Sequence, residues 1–303
     1  MKFMLPVFTL CFLIIIFTGC KTNTEIEDED DSIHSLEQVG KDDTLELVTW
    51  NMHNFPDNGS ESIDSYKLII ENLNVDLYAV QEISDTSSFE YLLDSLIEYE
   101  GLYSDDTYGS SYQKTGIVYK KEIISVLSRD QIYEERDYEF PRPPLVLKLR
   151  VSRNGYSNEF YLIVIHLKAF QGEEELDRRR GAVRLLKEYM DSEISTSEEK
   201  DYIIAGDWND ELTDPESDNC FTLLINDSDS YRFLTNEIAD DPVYSSYPSW
   251  GTLIDHILIS RSLFDDYRGG STTTLLIDSR IYGYFENVSD HRPVISFFPV
   301  FTH

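Results

Sequence analysis

Cysteine is scarce in this chain, which has only three in 303 residues. Cys11 lies within an N-terminal apolar run and Cys20 lies three residues after its end, outside the main body of the chain, so Cys220 is left without an intrachain partner. This excludes the class of small exported domains that depend on a framework of disulfides. The fold must rest on its apolar core, with bound ions as the other candidate support.

The N-terminal apolar run, residues 10–17, is too short to cross a bilayer as a helix. Lys2 precedes it, which is the pattern of a secretory signal. The run ends in Phe17-Thr18-Gly19-Cys20 and resembles a bacterial lipobox, although Phe17 replaces the more usual Leu. We therefore expect a signal peptide at residues 1–19 and a lipidated Cys20 that tethers the exported domain to a membrane of the cell envelope. An ordinary signal peptide with an accidental Cys20 is the alternative.

Positive charge is also scarce, with 25 Lys and Arg against 57 Asp and Glu, a formal net charge of −32. Phosphate backbones are bound by Lys and Arg, so this balance argues against nucleic acid. Part of the charge lies in residues 20–43, which we expect to form an acidic disordered stalk because few apolar residues are present there. An acidic export signal or a metal-binding tail is the alternative for this segment. Divalent cations can also invert the local field of a carboxylate cluster.

Internal repeats and Pro/Gly-rich linkers are missing from residues 44–303, which is compatible with a single domain. Alternating and apolar runs predict about ten strands, and helical spacing predicts helices at residues 62–72, 89–97 and 173–190. Many strands with few helices favour two packed sheets flanked by helices over a doubly wound parallel sheet.

Six strand-like runs end in residues whose side chains bind metal or phosphate. They are Trp50-Asn51, Gln81-Glu82, His166-Leu167-Lys168, Gly206-Asp207-Trp208-Asn209-Asp210, Asp255-His256 and Ser289-Asp290-His291. Any one could arise by chance, but together they predict a site assembled at the mouths of many strands. Carboxylates, carboxamides and imidazoles are the groups that a metal-assisted attack on a phosphate ester needs.

Each of these residues also has an ordinary structural explanation. Glu82 is a candidate ligand for Mg²⁺, Mn²⁺ or Ca²⁺, or else a solvated Glu at a strand end. Asn51 would offer its carboxamide to a phosphate oxygen or the metal, or else form a turn. Asp207 could align or deprotonate water and Asn209 could hold a phosphate oxygen, although Asp-x-Asn also occurs in ordinary turns. His166 closes an apolar run, where a hydrogen-bonded core histidine is the more common outcome.

The last polar motifs offer a metal ligand beside a base. Asp290 precedes His291, and Asp255 could fix the second ring nitrogen of His291 so that the imidazole accepts a proton. We expect Asp255 rather than His256 to point inward. The run Arg178-Arg179-Arg180 is either a phosphate patch or a solvated helix face paired with the preceding glutamates.

In their order and spacing, these motifs resemble the endonuclease/exonuclease/phosphatase superfamily, the DNase I-like fold, over residues 45–298. The resemblance implies an α+β fold, a four-layer α/β/β/α sandwich of two mixed β-sheets, with residues 44–303 as the catalytic domain. It also implies that Glu82 ligates the metal, with Asn51 and Asp290 near it.

The same resemblance implies roles for the remaining groups. Asp207 and Asn209 would position the nucleophilic water and the phosphate. His291, held by Asp255, would act as the base. His166 would stabilise the pentacovalent oxyanion or protonate the leaving oxygen.

Within the superfamily the DNase I branch is the most similar. Pro141-Arg142-Pro143-Pro144-Leu145 resembles its Arg-containing strand entry, which makes Arg142 a candidate phosphate clamp. Ser110-Ser111-Tyr112 resembles a segment whose Tyr contacts the DNA minor groove. Two positions depart from that branch: Ser84 stands in place of a minor-groove Arg, and Lys114 in place of a Glu that orients the first catalytic His.

The sequence therefore predicts a metal-dependent hydrolase of phosphoester bonds, with a DNase I-like endonuclease for extracellular DNA as the leading hypothesis. The expected cofactor is Mg²⁺ or Mn²⁺, with Ca²⁺ as a candidate structural ion, and the expected form is a monomer held to a membrane by its N-terminal lipid. A phosphatase or a sphingomyelinase-like lipid phosphodiesterase is the alternative, with residues 244–250 as the one aromatic segment that could enter lipid. A binding protein on the same fold predicts loss of Glu82, Asp207, Asn209 or His291, and all four are present.

Overall fold

The computed structural model describes residues 36–105 and 113–301. Its strands are β1 (Leu45–Phe55), β2 (Leu77–Ile83), β3 (Tyr99–Tyr103), β4 (Lys114–Lys120), β5 (Ile124–Gln131), β6 (Leu145–Arg153), β7 (Tyr156–His166), β8 (Tyr202–Asp207), β9 (Tyr231–Phe233), β10 (Asp255–Ser260), β11 (Ser271–Thr274) and β12 (Val294–Phe298). Its α-helices are α1 (Ser60–Leu73), α2 (Thr86–Ser95), α3 (Glu173–Thr196), α4 (Thr222–Ile225) and α5 (Tyr284–Asn287).

The strands form two six-stranded sheets, in the orders β11-β12-β1-β2-β4-β3 and β5-β6-β7-β8-β10-β9. Both sheets are mixed, because β1 pairs with β2 and β7 with β8 in parallel while the other pairings are antiparallel. Helices cover their outer faces. The predicted α+β sandwich of two mixed sheets is confirmed.

Strand alternation sorts the core into layers. In β1, Leu45 and Leu47 point between the sheets, where they join residues of the second sheet such as Leu162. Val48 and Trp50 point to the opposite face and pack under α1. Because side chains alternate with a period of two, one strand contributes to two apolar layers.

The helices bury one face each against the sheets. Helix α1 buries Tyr66, Ile69 and Ile70 on the first sheet, and it ends at Asn74, whose left-handed conformation (φ 52°) closes the last turn. Helix α3 packs on the outer face of the second sheet through Val183 and Leu186. The sheets are therefore protected on their outer faces, and the ends of the strands remain open for a site.

Some predicted bounds differ from the structure. Helix α2 begins at Thr86 rather than at residue 89, because the Asp85 carboxylate accepts a hydrogen bond from the Ser87 N–H (2.9 Å) and caps the helix. Helix α3 continues to Thr196, six residues beyond the predicted end. Strands β3 and β9 have no clear alternation in their sequences, and their pairing with β4 and β10 defines them.

The predicted stalk overlaps the described residues at 36–43, and this part packs onto the domain. Leu36 is buried in the apolar layer under α1, and the backbone N–H groups of Val39 and Gly40 both donate to the Leu73 carbonyl. These eight residues therefore contact the domain ahead of Thr44, because Leu36 and Val39 provide apolar surface that the acidic composition of the segment obscures. The disordered stalk stays a prediction for the residues before them.

Among the described helices, none combines the length and the apolar character that crossing a bilayer requires.

Candidate functional site

The predicted site residues converge because strand alternation continues past the apolar core. Asn51, His166, Asp207 and Asp255 continue the inward faces of β1, β7, β8 and β10. The last three lie at one end of their strands, and Asn51 lies where the regular pairing of β1 with β2 stops. In β8, Ile203 and Ala205 fill the core between the sheets, and Asp207 is the next residue of that face. The polar groups therefore meet at one edge of the sandwich, where the two sheets open.

Glu82 lies where the pairing between β2 and β4 is interrupted, and its backbone has a positive φ of 63°. The irregularity turns the carboxylate toward the same edge. Oε2 accepts hydrogen bonds from the Asn54 N–H (2.9 Å) and from Gln113 Nε2 (2.9 Å), while Oε1 accepts from Asn51 Nδ2 (3.1 Å). The carboxylate is thus fixed by three donors, two from β1 and one from the residue before β4.

Asn51 joins two carboxylates. Its Nδ2 donates to Glu82 Oε1 and to Asp207 Oδ2 (3.0 Å), and its Oδ1 accepts from the His53 N–H (2.9 Å). Ser289 donates to the Asn51 carbonyl (2.7 Å), which ties the last motif to β1. In this arrangement the amide nitrogen faces the carboxylates, so Asn51 would have to turn its amide over to present an oxygen to a cation.

Asp207 is buried between these groups. Its Oδ1 accepts from the Asn209 N–H (2.9 Å), and Asn209 has the left-handed φ of 56° that this tight turn requires. Asn209 Nδ2 donates to the Leu167 carbonyl (3.2 Å), which joins the ends of β7 and β8. Burial and the nearby Asp255 carboxylate raise the pKa of Asp207 to about 7.

His291 and Asp255 form a hydrogen-bonded pair, with 2.8 Å between Nδ1 and Oδ2. His291 Nε2 lies 3.9 Å from Asp207 Oδ2. Burial disfavours the charged imidazole, but the Asp255 carboxylate and the other acids outweigh it and raise the pKa of His291 to about 10. His256 points to the opposite face and contacts Phe221 and Phe233, so the prediction that Asp255 is the inward residue is confirmed.

His166 is buried and faces two carboxylates. Its Nε2 lies 3.5 Å from Asp207 Oδ2 and 3.7 Å from Glu82 Oε1. Burial, with the nearby Arg142 charge, holds the pKa of His166 well below its ordinary value. Its Nδ1 has no hydrogen-bond partner among the described residues, so His166 is not the hydrogen-bonded core histidine that the sequence offered as the alternative.

Asp290 brings in a histidine that the sequence analysis did not single out. Its Oδ1 lies 2.7 Å from His53 Nδ1, and His53 also approaches Asp57 (3.8 Å). Burial opposes ionisation of Asp290, but the His53 hydrogen bond and other positive neighbours hold its pKa below the ordinary value. His53 sits two residues after Asn51 with φ 43°, and this left-handed turn, invisible in a single sequence, brings it to the site.

Arg142 lies in the same cavity, as predicted for a phosphate-binding residue. Its guanidinium donates to Gln113 Oε1, and Gln113 in turn donates to Glu82. Burial lowers the pKa of Arg142 from its ordinary value, although the side chain remains charged at neutral pH. Gln113 is a second site residue that sequence reasoning missed, and its role depends on the folded arrangement of β4 beside β2.

The site opens into a cavity of about 590 Å³. Glu82, His166, Asp207, Asp290 and His291 line it on one side. The remaining wall has aromatic and acidic side chains, namely Phe170, Tyr247, Trp250, Asp210, Glu211 and Asp214. A small substrate can therefore lie against the polar edge while a second group occupies the rest of the space.

Arg179 stabilises this wall through buried hydrogen bonds. It is 1% exposed, and its guanidinium donates to Asp210 Oδ2 (3.0 Å) and to the carbonyls of Lys168 (3.1 Å) and Phe170 (2.8 Å). Neither interpretation of the Arg178-Arg179-Arg180 run holds for Arg179, because helix packing turns this residue inward while its two neighbours point to the surface.

One cluster of described residues has the spacing for a divalent cation, and two further carboxylates in the cavity have suitable ligand chemistry. Asp207, Asp255 and His291 place one potential ligand atom each within 4.8 Å of one another. However, the Asp255 and His291 atoms that face each other already share a hydrogen bond. Glu82 and Asp290, both partly accessible in the cavity, have the oxygen ligands that Mg²⁺ and Mn²⁺ prefer. The donor chemistry therefore fits a hard cation at Glu82 and Asp290 better than at the buried pair.

Two predicted site residues, Tyr112 and Cys20, lie outside the described part of the chain.

A two-sheet sandwich with carboxylate, amide and imidazole groups at one edge is the architecture of a phosphoesterase-type hydrolase. The profile of the Endonuclease/Exonuclease/phosphatase family matches residues 48–291. The chain therefore belongs to this family, and it is a hydrolase of the phosphoesterase and nuclease type. A search of curated proteins finds no match.

Solved structures share the fold at low sequence identity. A humanized TDP2 from D. rerio is 16% identical, with 84% of this chain and 99% of that chain covered and a TM-score of 0.59. The human nocturnin catalytic domain is 17% identical, with 86% and 96% covered and a TM-score of 0.59. A mannosyl-6-phosphatase from Bacteroides thetaiotaomicron is 15% identical, with 83% and 98% covered and a TM-score of 0.56. At these identities the likeness shows the fold alone.

Proposed function

We propose that this protein is a metal-dependent hydrolase of phosphoester bonds and that its reaction takes place in the cavity at the open edge of the sandwich. The observation that carries this proposal is the joint arrangement of Glu82, Asn51 and Asp207, linked by hydrogen bonds of 3.0–3.1 Å beside the His291–Asp255 pair. Structural carboxylates are seldom gathered in a cavity next to two histidines, whereas phosphoryl transfer requires such groups.

The metal would be held by Glu82 and Asp290, with Asn51 beside them. A bound Mg²⁺ or Mn²⁺ would polarise the phosphoryl oxygens and offset the charge that develops there. The Asn54 N–H and Gln113 orient the Glu82 carboxylate, so the ligand is positioned before any cation arrives. A structural Ca²⁺ stays a prediction from the sequence.

Asp207 is the better candidate for aligning and deprotonating the water, because its pKa of about 7 suits proton transfer near neutrality. His291, with a pKa of about 10, is protonated in this arrangement and suits a cationic role beside the phosphoryl group. This differs from the prediction that His291 is the base. The neutral His166 can donate a hydrogen bond from Nε2 to the oxyanion, and Arg142 and Asn209 would hold phosphate oxygens.

The substrate could be nucleic acid or a smaller ester. Family membership supports the nuclease hypothesis, and one neighbour is a TDP2 of D. rerio complexed with a single-strand DNA product. The lining of the cavity favours the smaller ester, because Arg142 is the only Lys or Arg among its described lining residues. The phosphates that flank a scissile bond in DNA would meet carboxylates there rather than cations.

The site of action is proposed from the N-terminal sequence alone. A lipidated Cys20 would hold a monomeric domain at the cell envelope, where phosphoesters outside the cytoplasm are its accessible substrates. Lipid phosphodiesters would then lie close to the cavity, and the aromatic residues Tyr247 and Trp250 line its rim.

Hydrolysis assays test the proposal. The full chain would be incubated with Mg²⁺ or Mn²⁺ and with plasmid DNA, sphingomyelin vesicles or phosphomonoesters, with and without EDTA. Asp207→Asn should abolish turnover, whereas Asp265→Asn, at a surface residue with an 82% exposed side chain, should leave it unchanged. Turnover that survives EDTA or the Asp207→Asn change would contradict the proposal.

A further inference from the structure

Two large aromatic side chains stand exposed at the cavity next to the proposed phosphate site. Phe170 is 76% exposed and Trp250 is 69% exposed, and both line the cavity. Side chains of this size gain stability from burial, so exposure of both at the same opening marks a surface that a ligand covers.

Both aromatic side chains belong to segments that contact residues at or beside the site. Phe170 has a positive φ of 77°, and its carbonyl accepts from the buried Arg179, which fixes the loop after β7. Trp250 lies in the turn between Tyr247 and Thr252, and the Tyr247 ring packs on His291 with centroids 4.9 Å apart. The two rings are therefore placed relative to the catalytic groups rather than on free loops.

The wall between these aromatics and Asp207 is acidic. Glu211 and Asp214 line it, and burial with the neighbouring Asp210 raises the pKa of both carboxyl groups, that of Asp214 to about 7. The Asp214 carboxyl can therefore donate as well as accept a hydrogen bond near neutral pH, and Glu211 can accept one. Such a wall suits hydroxyl groups and repels further phosphates.

We propose that this part of the cavity is a subsite for one hydroxylated ring, flanked by Trp250 and Phe170 and hydrogen-bonded by Glu211 and Asp214, so that the substrate is a sugar phosphate. The inference rests on the proposed function, because it assumes that the phosphate lies at Glu82 and Asp207. The apolar face of a sugar ring stacks on an aromatic side chain, while its hydroxyl groups need polar partners around the edge.

Two other small-substrate chemistries fit less well. A quaternary ammonium group requires a cage of adjoining aromatic faces. Trp250 adjoins Tyr247, with ring centroids 6.4 Å apart, but no ring contact joins Phe170 to either of them among the described residues. An oligonucleotide requires cations for its further phosphates, and the described lining residues include only Arg142. The sugar ring uses both the separated aromatics and the acidic wall.

Fluorescence provides a test that does not require turnover. Of the three tryptophans, Trp50 and Trp208 are buried, so Trp250 alone is exposed to a ligand. In the Asp207→Asn protein, titration with glucose 6-phosphate should change the emission at micromolar to millimolar concentration, and methyl phosphate should not. Trp250→Phe should remove the change. An identical response to both esters, or none to the sugar ester, would overturn the inference.

Kinetics separate this inference from the proposed function. With Mg²⁺, we compare glucose 6-phosphate, methyl phosphate, phosphocholine and a short single-stranded oligonucleotide. Trp250→Ala should raise KM for the sugar ester ~5–10-fold, the effect of losing one stacking contact, with kcat little changed and methyl phosphate unaffected. Trp250→Phe should recover most of the loss. Tyr282→Ala, at an 82% exposed aromatic that does not line the cavity, is the matched control.

The outcomes differ for the two claims. Phosphate release from none of the esters contradicts the proposed function. Release from methyl phosphate without preference for the sugar ester, or an equal effect of Trp250→Ala on all substrates, contradicts the subsite alone. Preference for phosphocholine or for the oligonucleotide would likewise replace the sugar by that substrate.

Discussion

Glu46 should make this protein less stable as the pH rises, and removing its charge should reverse that trend. The side chain is fully buried at the start of β1, where Oε1 accepts from Thr44 and from the Lys41 N–H (3.1 Å). Oε2 has no hydrogen-bond partner among the described residues. The neighbouring Asp76 carboxylate is paired with Arg153 (2.6 Å) and Lys120 (3.2 Å). These two cations pair with Asp76, and no described residue forms an ion pair with Glu46.

Burial and the Asp76 charge raise the pKa of Glu46 from 4.5 to about 8. Because the folded state binds the proton more tightly than the unfolded state, stability is full below pH 4.5 and is lost as the pH rises toward 8. One pKa unit corresponds to about 1.4 kcal/mol, so the shift sets an upper bound of roughly 5 kcal/mol on the loss. Relaxation around the charge reduces it, and we expect ~2–4 kcal/mol at pH 8.5.

The substitution Glu46→Gln keeps an acceptor at Oε1 and removes the charge. We expect it to raise the free energy of unfolding by ~2–4 kcal/mol at pH 8.5 and to change it by under ~1 kcal/mol at pH 4.5. Urea unfolding followed by tryptophan fluorescence at both pH values measures the difference, with the exposed Glu122→Gln as control. An effect of Glu46→Gln that is the same at the two pH values, or a loss of stability at pH 8.5, would refute the reasoning.

Three further predictions concern the site and its support. Asp255→Asn removes the charge that orients His291, so kcat of the folded variant should fall by roughly 10²–10⁴; an effect below tenfold would remove the pair from catalysis. Arg179→Met leaves Asp210 buried without its cation, so urea unfolding should show a loss of about 3–5 kcal/mol, and a neutral result would contradict the ion pair. Gln113→Ala frees the Glu82 carboxylate, so half-maximal activity should need about tenfold more Mg²⁺, and an unchanged Mg²⁺ dependence would show that Gln113 does not orient the ligand.

Strand alternation explains why so much of the site could be predicted from the sequence. Each apolar run indicates which face of its strand is buried. Because side chains alternate, the position of the polar residue at the end of the run shows whether it lies on that same face. For Asp255 and His256 the alternation selects the right residue, because Ile257 and Ile259 lie on the inward face with Asp255. Glu82 is harder, because an interruption in strand pairing rather than alternation turns its carboxylate toward the site.

Other residues could not be assigned without the folded chain. His53 reaches Asp290, more than 200 positions away in sequence, only because the irregular end of β1 meets the segment before β12 at the edge of the sandwich. Arg179 belongs to a run of three arginines, and only the packing of α3 determines that this one is buried while its neighbours are half-buried. Single-sequence patterns carry no information about such contacts, because they depend on the relative placement of distant elements.

The sequence by itself determined the fold class, the family resemblance and most of the polar residues at the strand ends, because periodicity and residue type act locally. Only the tertiary structure decided how these groups share protons and hydrogen bonds: Asp207 lies beside His291 and His166, and Asn51 joins it to Glu82. It also decided the character of the cavity, in which exposed aromatics and carboxylates lie together. The physical reason is that pKa values and ligand surfaces arise from burial and from charges brought together in space, and these depend on the folded arrangement of the whole domain.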